Sequence, residues 1–66
     1  MSVAKTVEIS SESATSFDDA IKVGVERANQ TLRNVRGAWI KDQQVVVENG
    51  QVTKYRVAMK VTFLLG

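Results

Sequence analysis

Glu48-Asn49-Gly50-Gln51, leading into Val52-Thr53-Lys54-Tyr55-Arg56-Val57-Ala58-Met59-Lys60-Val61-Thr62-Phe63-Leu64-Leu65, is the stretch that decides the fold. Asn-Gly is the preferred pair for a two-residue type I′ turn, because both central residues need φ > 0 and the turn's twist matches that of the flanking strands. After the turn, Tyr55, Val57, Met59, Val61, Phe63 and Leu65 alternate with Lys54, Arg56, Ala58, Lys60, Thr62 and Leu64. That period of two belongs to a strand with one buried face. The stretch from Gly37 to Leu65 therefore predicts one long β-hairpin.

A two-residue turn also sets register, with Glu48 opposite Gln51. Counting outward in step, Val46 faces Thr53, Gln44 faces Tyr55, Asp42 faces Val57, Ile40 faces Met59 and Ala38 faces Val61. Opposed side chains share a face, so Ile40 and Ala38 join the apolar side of the last strand. On the other face the same count pairs Val47 with Val52, Val45 with Lys54, Gln43 with Arg56, Lys41 with Ala58, Trp39 with Lys60 and Gly37 with Thr62. The single Trp thus lies on the face away from the core, beside cations and amides.

Outward from the hairpin, Val3 to Ile9 reads as a first strand with Val3, Val7 and Ile9 on one side. Lys5 interrupts that side, which suits an edge strand whose charges discourage further pairing. Ser10 to Ser16 reads as a polar loop ending in a helix start. Ser16 with Asp19 fits an Asp variant of the capping box, and Asp18 and Asp19 complement the helix dipole. From Phe17 to about Val35 the period becomes 3.6, with Phe17, Ala20, Ile21, Gly24, Val25, Ala28, Leu32 and Val35 on one stripe. Gly24 and Ala28 in that stripe predict close approach of helix and sheet, since Gly otherwise costs about 1 kcal/mol against Ala. Val23 points from the polar side, as an ordinary exposed Val or a contact to a second subunit. The predicted architecture is α+β, a β-α-β-β order with one helix across a three-stranded antiparallel sheet, in a single domain over residues 1–66.

Composition narrows the chemistry. A chain of 66 residues buries only ~60% of its unfolded surface and needs help from disulfides, metals or partners. With no Cys and no His, disulfides, thiolate metal sites and the usual general base are absent. Oligomerisation is the remaining support. A net charge of +2 from interspersed acids and bases, without a basic run, gives no strong nucleic-acid footprint. One Trp beside Lys and Arg could stack a base, but one aromatic is little for a nucleic-acid platform. No signal peptide or apolar stretch of about 18 residues is present, so a soluble, cytoplasmic protein without membrane contact is expected.

Catalytic sets are wanting. Ser10, Ser11, Ser13 and Ser16 have no His to activate them, and Asp18 and Asp19 diverge as helix neighbours. The expectation is a protein that is not an enzyme. Glu12, Asp42 and Glu48 could ligate a hard cation, although no ligand-spacing motif marks them. Trp39 has two readings: an interface anchor, since Trp buries much area at subunit contacts, or a stacking wall for a planar ligand whose polar edge meets Lys60, Arg56 and Gln43.

Three further stretches carry a resemblance: Ser16-Phe17 at the helix start, Glu26-Arg27-Ala28 with Thr31-Leu32-Arg33-Asn34-Val35, and Tyr55-Arg56-Val57 with Lys60-Val61-Thr62-Phe63. With their spacing and the total length, the chain resembles the dodecins over nearly its whole extent. The resemblance implies a hollow homododecamer that binds and stores flavins such as riboflavin or FMN, with isoalloxazine rings between Trp side chains of neighbouring subunits. This sequence departs from that pattern at both main contacts. The family's stacking Trp falls at Gly37, its flavin-bonding Gln at Arg56, and its Gly-Thr-Ser becomes Ser11-Glu12-Ser13. Trp39, two positions later on the same face, is then the candidate stacking wall, with Gly37, Gln43, Arg56 and Lys60 around it. Dodecin-like proteins described as calcium dodecins share the Tyr-Arg pair and the missing Trp. The alternative expectation is a shell that has lost flavin binding and holds calcium or other ions instead.

Overall fold

The computed structural model describes residues 3–65 and contains strand β1 (Ala4–Ser13), helix α1 (Phe17–Leu32), strand β2 (Val35–Glu48) and strand β3 (Gln51–Leu64). The sheet is antiparallel with order β1-β3-β2, so the last strand made is the central one. Asn49 and Gly50 take φ of 52° and 75° at the hairpin turn, as a type I′ turn requires. On β3, Val57, Met59, Val61 and Phe63 are buried, and the first three form one core cluster with Ala20 and Ala28 from the helix. Phe17, Ile21, Val25 and Leu32 flank that contact together with Val7, Ile9 and Ile40. Leu65 falls beyond the strand and is exposed.

The close approach implied by Gly24 is present. A Cβ added there would lie 2.8 Å from Met59 Cε and 2.9 Å from Ser11 Cβ. Ser11 is in contact because β1 runs further than the polar Ser10–Ser16 stretch suggested. Residues 10–13 continue the strand, pairing Ser11 with Val57, Glu12 with Arg56 and Ser13 with Tyr55. Backbone pairing to β3 overrides the loop-like composition, and small side chains are what the space under the helix accepts.

The helix starts as expected and stops earlier. Ser16 Oγ accepts from the Asp19 amide at 3.0 Å, which is half of a capping box. The carboxylate instead accepts from Ser13 Oγ at 2.7 Å, tying the end of β1 to the first turn. Arg33 and Asn34 have φ of 59° and 50°, a left-handed pair that ends the helix three residues before the predicted limit. Val35 then pairs with Phe63 in the sheet rather than extending the helical stripe.

Register matches the turn-based count at both ends of the hairpin and departs from it in the middle. Trp39 is opposite Lys60, Ile40 opposite Met59, Ala38 opposite Val61, and Val47 opposite Val52. Between them, Asp42 faces Ala58, Gln43 faces Val57, Gln44 faces Arg56, Val45 faces Tyr55 and Val46 faces Lys54. An extra residue on β2, Lys41, shifts the pairing by one, and an extra residue on β3, Thr53, shifts it back. Such bulges invert which face a run of side chains occupies. Lys41 turns to Glu8 at 2.9 Å, and the Thr53 hydroxyl lies 3.3 Å from the Val46 carbonyl and 3.1 Å from Glu48 Oε1.

Beyond Ser13, which pairs with Tyr55, the hairpin runs on alone, so residues 46–54 form a two-stranded arm. The molecule is accordingly elongated, 51 × 19 × 14 Å.

Candidate functional site

The face of the sheet turned away from the helix is polar and charged. Alternation along β3 places Arg56, Ala58, Lys60 and Thr62 there, and the register adds Glu8 and Glu12 from β1 with Gly37, Trp39, Asp42 and Gln44 from β2. Trp39 is 69% exposed, although a ring of that size normally finds cover. Lys60 Nζ sits 5.6 Å from its ring centroid, within range of a cation–π contact. Beside it, a Cβ at Gly37 would meet nothing within 4 Å. The result is an open, aromatic-walled platform with a cation at one edge.

Gln43 is a correction to the expected set. It pairs with Val57 and so points to the helix side, because the Lys41 bulge moves it off the Trp39 face. Gln44 takes its place opposite Arg56. Val45 changes face for the same reason, joining Tyr55 on the helix side.

Arg56 is on the expected face but engaged. Its Nε and guanidinium NH2 donate to Glu12 Oε1 at 2.7 and 2.5 Å, and Lys54 Nζ lies 3.7 Å from the other oxygen of that carboxylate. Hydrogen bonding from Arg56 first, then the charges of Arg56 and Lys54, holds the Glu12 carboxyl below its ordinary value. Glu8 is lowered in the same way, chiefly by the hydrogen bond from Lys41 and next by its charge. The cations are thus partly compensated, and Lys60, over the ring, is the one poised beside the aromatic.

Glu8, Lys41 and Gln44 also belong to this surface and are not among the expected site residues, and Glu12, expected only as a cation ligand, is here the partner of Arg56. The turn gives a count for β2 against β3, whereas β1 joins the sheet through a helix and has no local rule for its register.

Flavin fits this surface in part. The exposed ring, the open space at Gly37 and the Lys60 cation suit a planar ligand, while Arg56 is already engaged by Glu12. For cations, no group of three or more acidic, His or Cys side chains able to hold a metal ion occurs among the described residues.

The sequence matches the dodecin family model over residues 3–66. The chain belongs to the dodecin family. It is 32% identical over 63 residues to the calcium dodecin of Mycobacterium tuberculosis, covering 96% of this chain and 89% of that protein. Among solved structures, dodecin from Streptomyces davaonensis superposes with a TM-score of 0.94 at 31% identity, over 98% of this chain and 96% of that one. The M. tuberculosis calcium dodecin, described as calcium-chelating, superposes with a TM-score of 0.84 at 29% identity, over 97% and 91% of the two chains. The dodecin fold is therefore shared over nearly the whole chain. No helix among its described residues is long and apolar enough to cross a membrane.

Proposed function

We propose that this dodecin is a subunit of a homododecameric, non-enzymatic shell that binds and stores a planar ligand of the flavin class, neutral riboflavin or anionic FMN, on Trp39. The observation that carries the reading is the largely exposed Trp39 ring with Lys60 beside it. A ring left uncovered in one subunit gains cover from a ligand and from the neighbouring subunit together, and stacking on an aromatic face contributes about 1–3 kcal/mol per planar base in comparable platforms. Lys60 supplies charge to a phosphate or to the electron-rich ring edge. Arg56 contributes through Glu12, positioning the surface rather than releasing a free cation.

The test is titration of riboflavin and FMN into the purified oligomer, followed by flavin fluorescence. Trp39→Ala should weaken binding by tenfold or more, at about 1.4 kcal/mol per tenfold, and Gly37→Trp should strengthen it by giving the ring a second wall. Unchanged affinity in Trp39→Ala discards Trp39 as the stacking wall.

A second reading is supported by one relative, the calcium dodecin of M. tuberculosis: a shell holding divalent cations. Because no single copy gathers three acidic ligands among the described residues, the ions would sit where several copies bring carboxylates together, as hard cations require. Heat on calcium titration, with no flavin quenching, would favour this reading over the first.

A further inference from the structure

On the outer face of the sheet, Lys60 has a neighbour on either side. It pairs with Glu8 of β1 and with Trp39 of β2, so a carboxylate and an indole compete for one ammonium group. Opposite charges placed directly across an antiparallel pair attract, and Glu8 is the partner that register alone gives Lys60. The structure shows the other outcome. Lys60 Nζ lies 5.6 Å from the Trp39 ring centroid and makes no ion pair among the described residues.

What occupies Glu8 is Lys41. Its Nζ donates to Glu8 Oε1 at 2.9 Å, although β1 and β2 are not neighbours in the sheet and lie two strand spacings, about 10 Å, apart. Lys41 is the residue left unpaired where the β2–β3 register shifts between Ile40 and Asp42. Bulges of this kind re-aim side chains, and here the lysine crosses β3 to reach the acid. Ala58, next to Lys60 on that face of β3, is too short to block the way. The Glu8 carboxyl is held below its ordinary value first by the hydrogen bond and charge of Lys41, and less by the charge of Lys60. One cation is thus engaged and a second is within reach.

We propose that Lys41 is a positioning residue for the ligand platform. By occupying Glu8 it leaves Lys60 at the Trp39 ring, where the charge favours the anionic, phosphorylated member of the flavin class over the neutral one. This rests on Trp39 as the stacking wall and adds to it the residue that sets the platform's preference for charge. Without the Lys41 ammonium, Lys60 turns to Glu8 and the indole loses its cation. Both members of the Lys41–Glu8 pair are exposed, so the shift is modest, at most about fivefold.

Because the chain has a single Trp, its intrinsic emission reports on this one ring. The purified oligomer is compared with Lys41→Met, Lys60→Met and the double variant Lys41→Met/Glu8→Gln, and each is titrated with riboflavin and with FMN. Lys41→Met should move the emission toward that of Lys60→Met and lower the ratio of FMN to riboflavin affinity about threefold. Removing the acid as well should return both quantities to those of the unsubstituted protein, since Lys60 then has only the ring. Lys22→Met, which takes an equal charge from an exposed helix position, should move neither and so separates position from net charge. Unsubstituted emission and ratio in Lys41→Met, or a double variant that fails to recover them, overturns the role of Lys41. Failure of the unsubstituted protein to bind either flavin overturns Trp39 as a flavin wall instead, and the emission series then decides alone whether Lys41 holds Lys60 at the ring.

Discussion

At the scale of single residues, Glu12 organises the outer face by holding Arg56 and Lys54 at once. Its folded-state pKa lies below the ordinary value of 4.5, so its pairing stabilises the fold above that pH. The contribution is lost as pH falls through the lowered value. Because the pair is exposed, the effect on stability is small, and the direct readout is the carboxyl itself. A carbon-13 NMR titration should place the Glu12 midpoint below 4.5, and Arg56→Gln should return it toward that value. An unmoved midpoint would mean that the pair does not persist in solution. The sequence showed Arg56 and Lys60 on one face because a single strand's alternation suffices for that. Glu12 was hidden within a run of serines, and its partner lies in a strand reached only after the helix and hairpin are placed.

At the scale of elements, the contact between α1 and β1 depends on Gly24. Adding a methyl group there would gain about 1 kcal/mol of helix propensity and lose about 1–3 kcal/mol to overpacking. Met59 Cε can move aside, but Ser11 Cβ, at 2.9 Å from the added atom, is fixed to the β1 backbone. Gly24→Ala should therefore lower stability by about 1 kcal/mol, read as a shift in the urea midpoint without change in slope. Paired with Ser11→Gly, the same substitution should recover part of that loss. A stabilised Gly24→Ala would show that the helix can lift off the sheet. The element order and the hairpin were legible because Asn49-Gly50 and the two periodicities are local signals. The bulges at Lys41 and Thr53 were not, since an inserted residue leaves the alternation of β2 looking intact in sequence while it moves Gln43 and Val45 across the sheet. The end of the helix was obscured for a related reason: Val35 continues the helical stripe by position, and only the left-handed pair Arg33-Asn34 redirects it into β2.

At the scale of the whole molecule, the elongated subunit leaves Val23, Trp39, Val47 and Val52 exposed, and the proposed assembly would cover part of that surface with other copies. Stability should then depend on concentration, because association that binds only the folded state adds to it by mass action. On dilution from micromolar to nanomolar, loss of far-UV circular dichroism should coincide with loss of particle mass. A folded monomer persisting at nanomolar concentration would contradict this.

The central place of β3 also bears on how the protein comes into being. Both β1 and β2 hydrogen-bond to β3, and β3 occupies residues 51–64 of the 66. During synthesis, no part of the sheet can close until β3, the last of the three strands in chain order, has emerged from the ribosome. The nascent chain can hold little more than a transient helix, and long-range pairing of β1 with β3 makes the later closure slow for so short a polypeptide. Emergence of β3 therefore precedes closure of the sheet. A translation product truncated within β3 would leave the apolar helix stripe without its sheet and prone to aggregation.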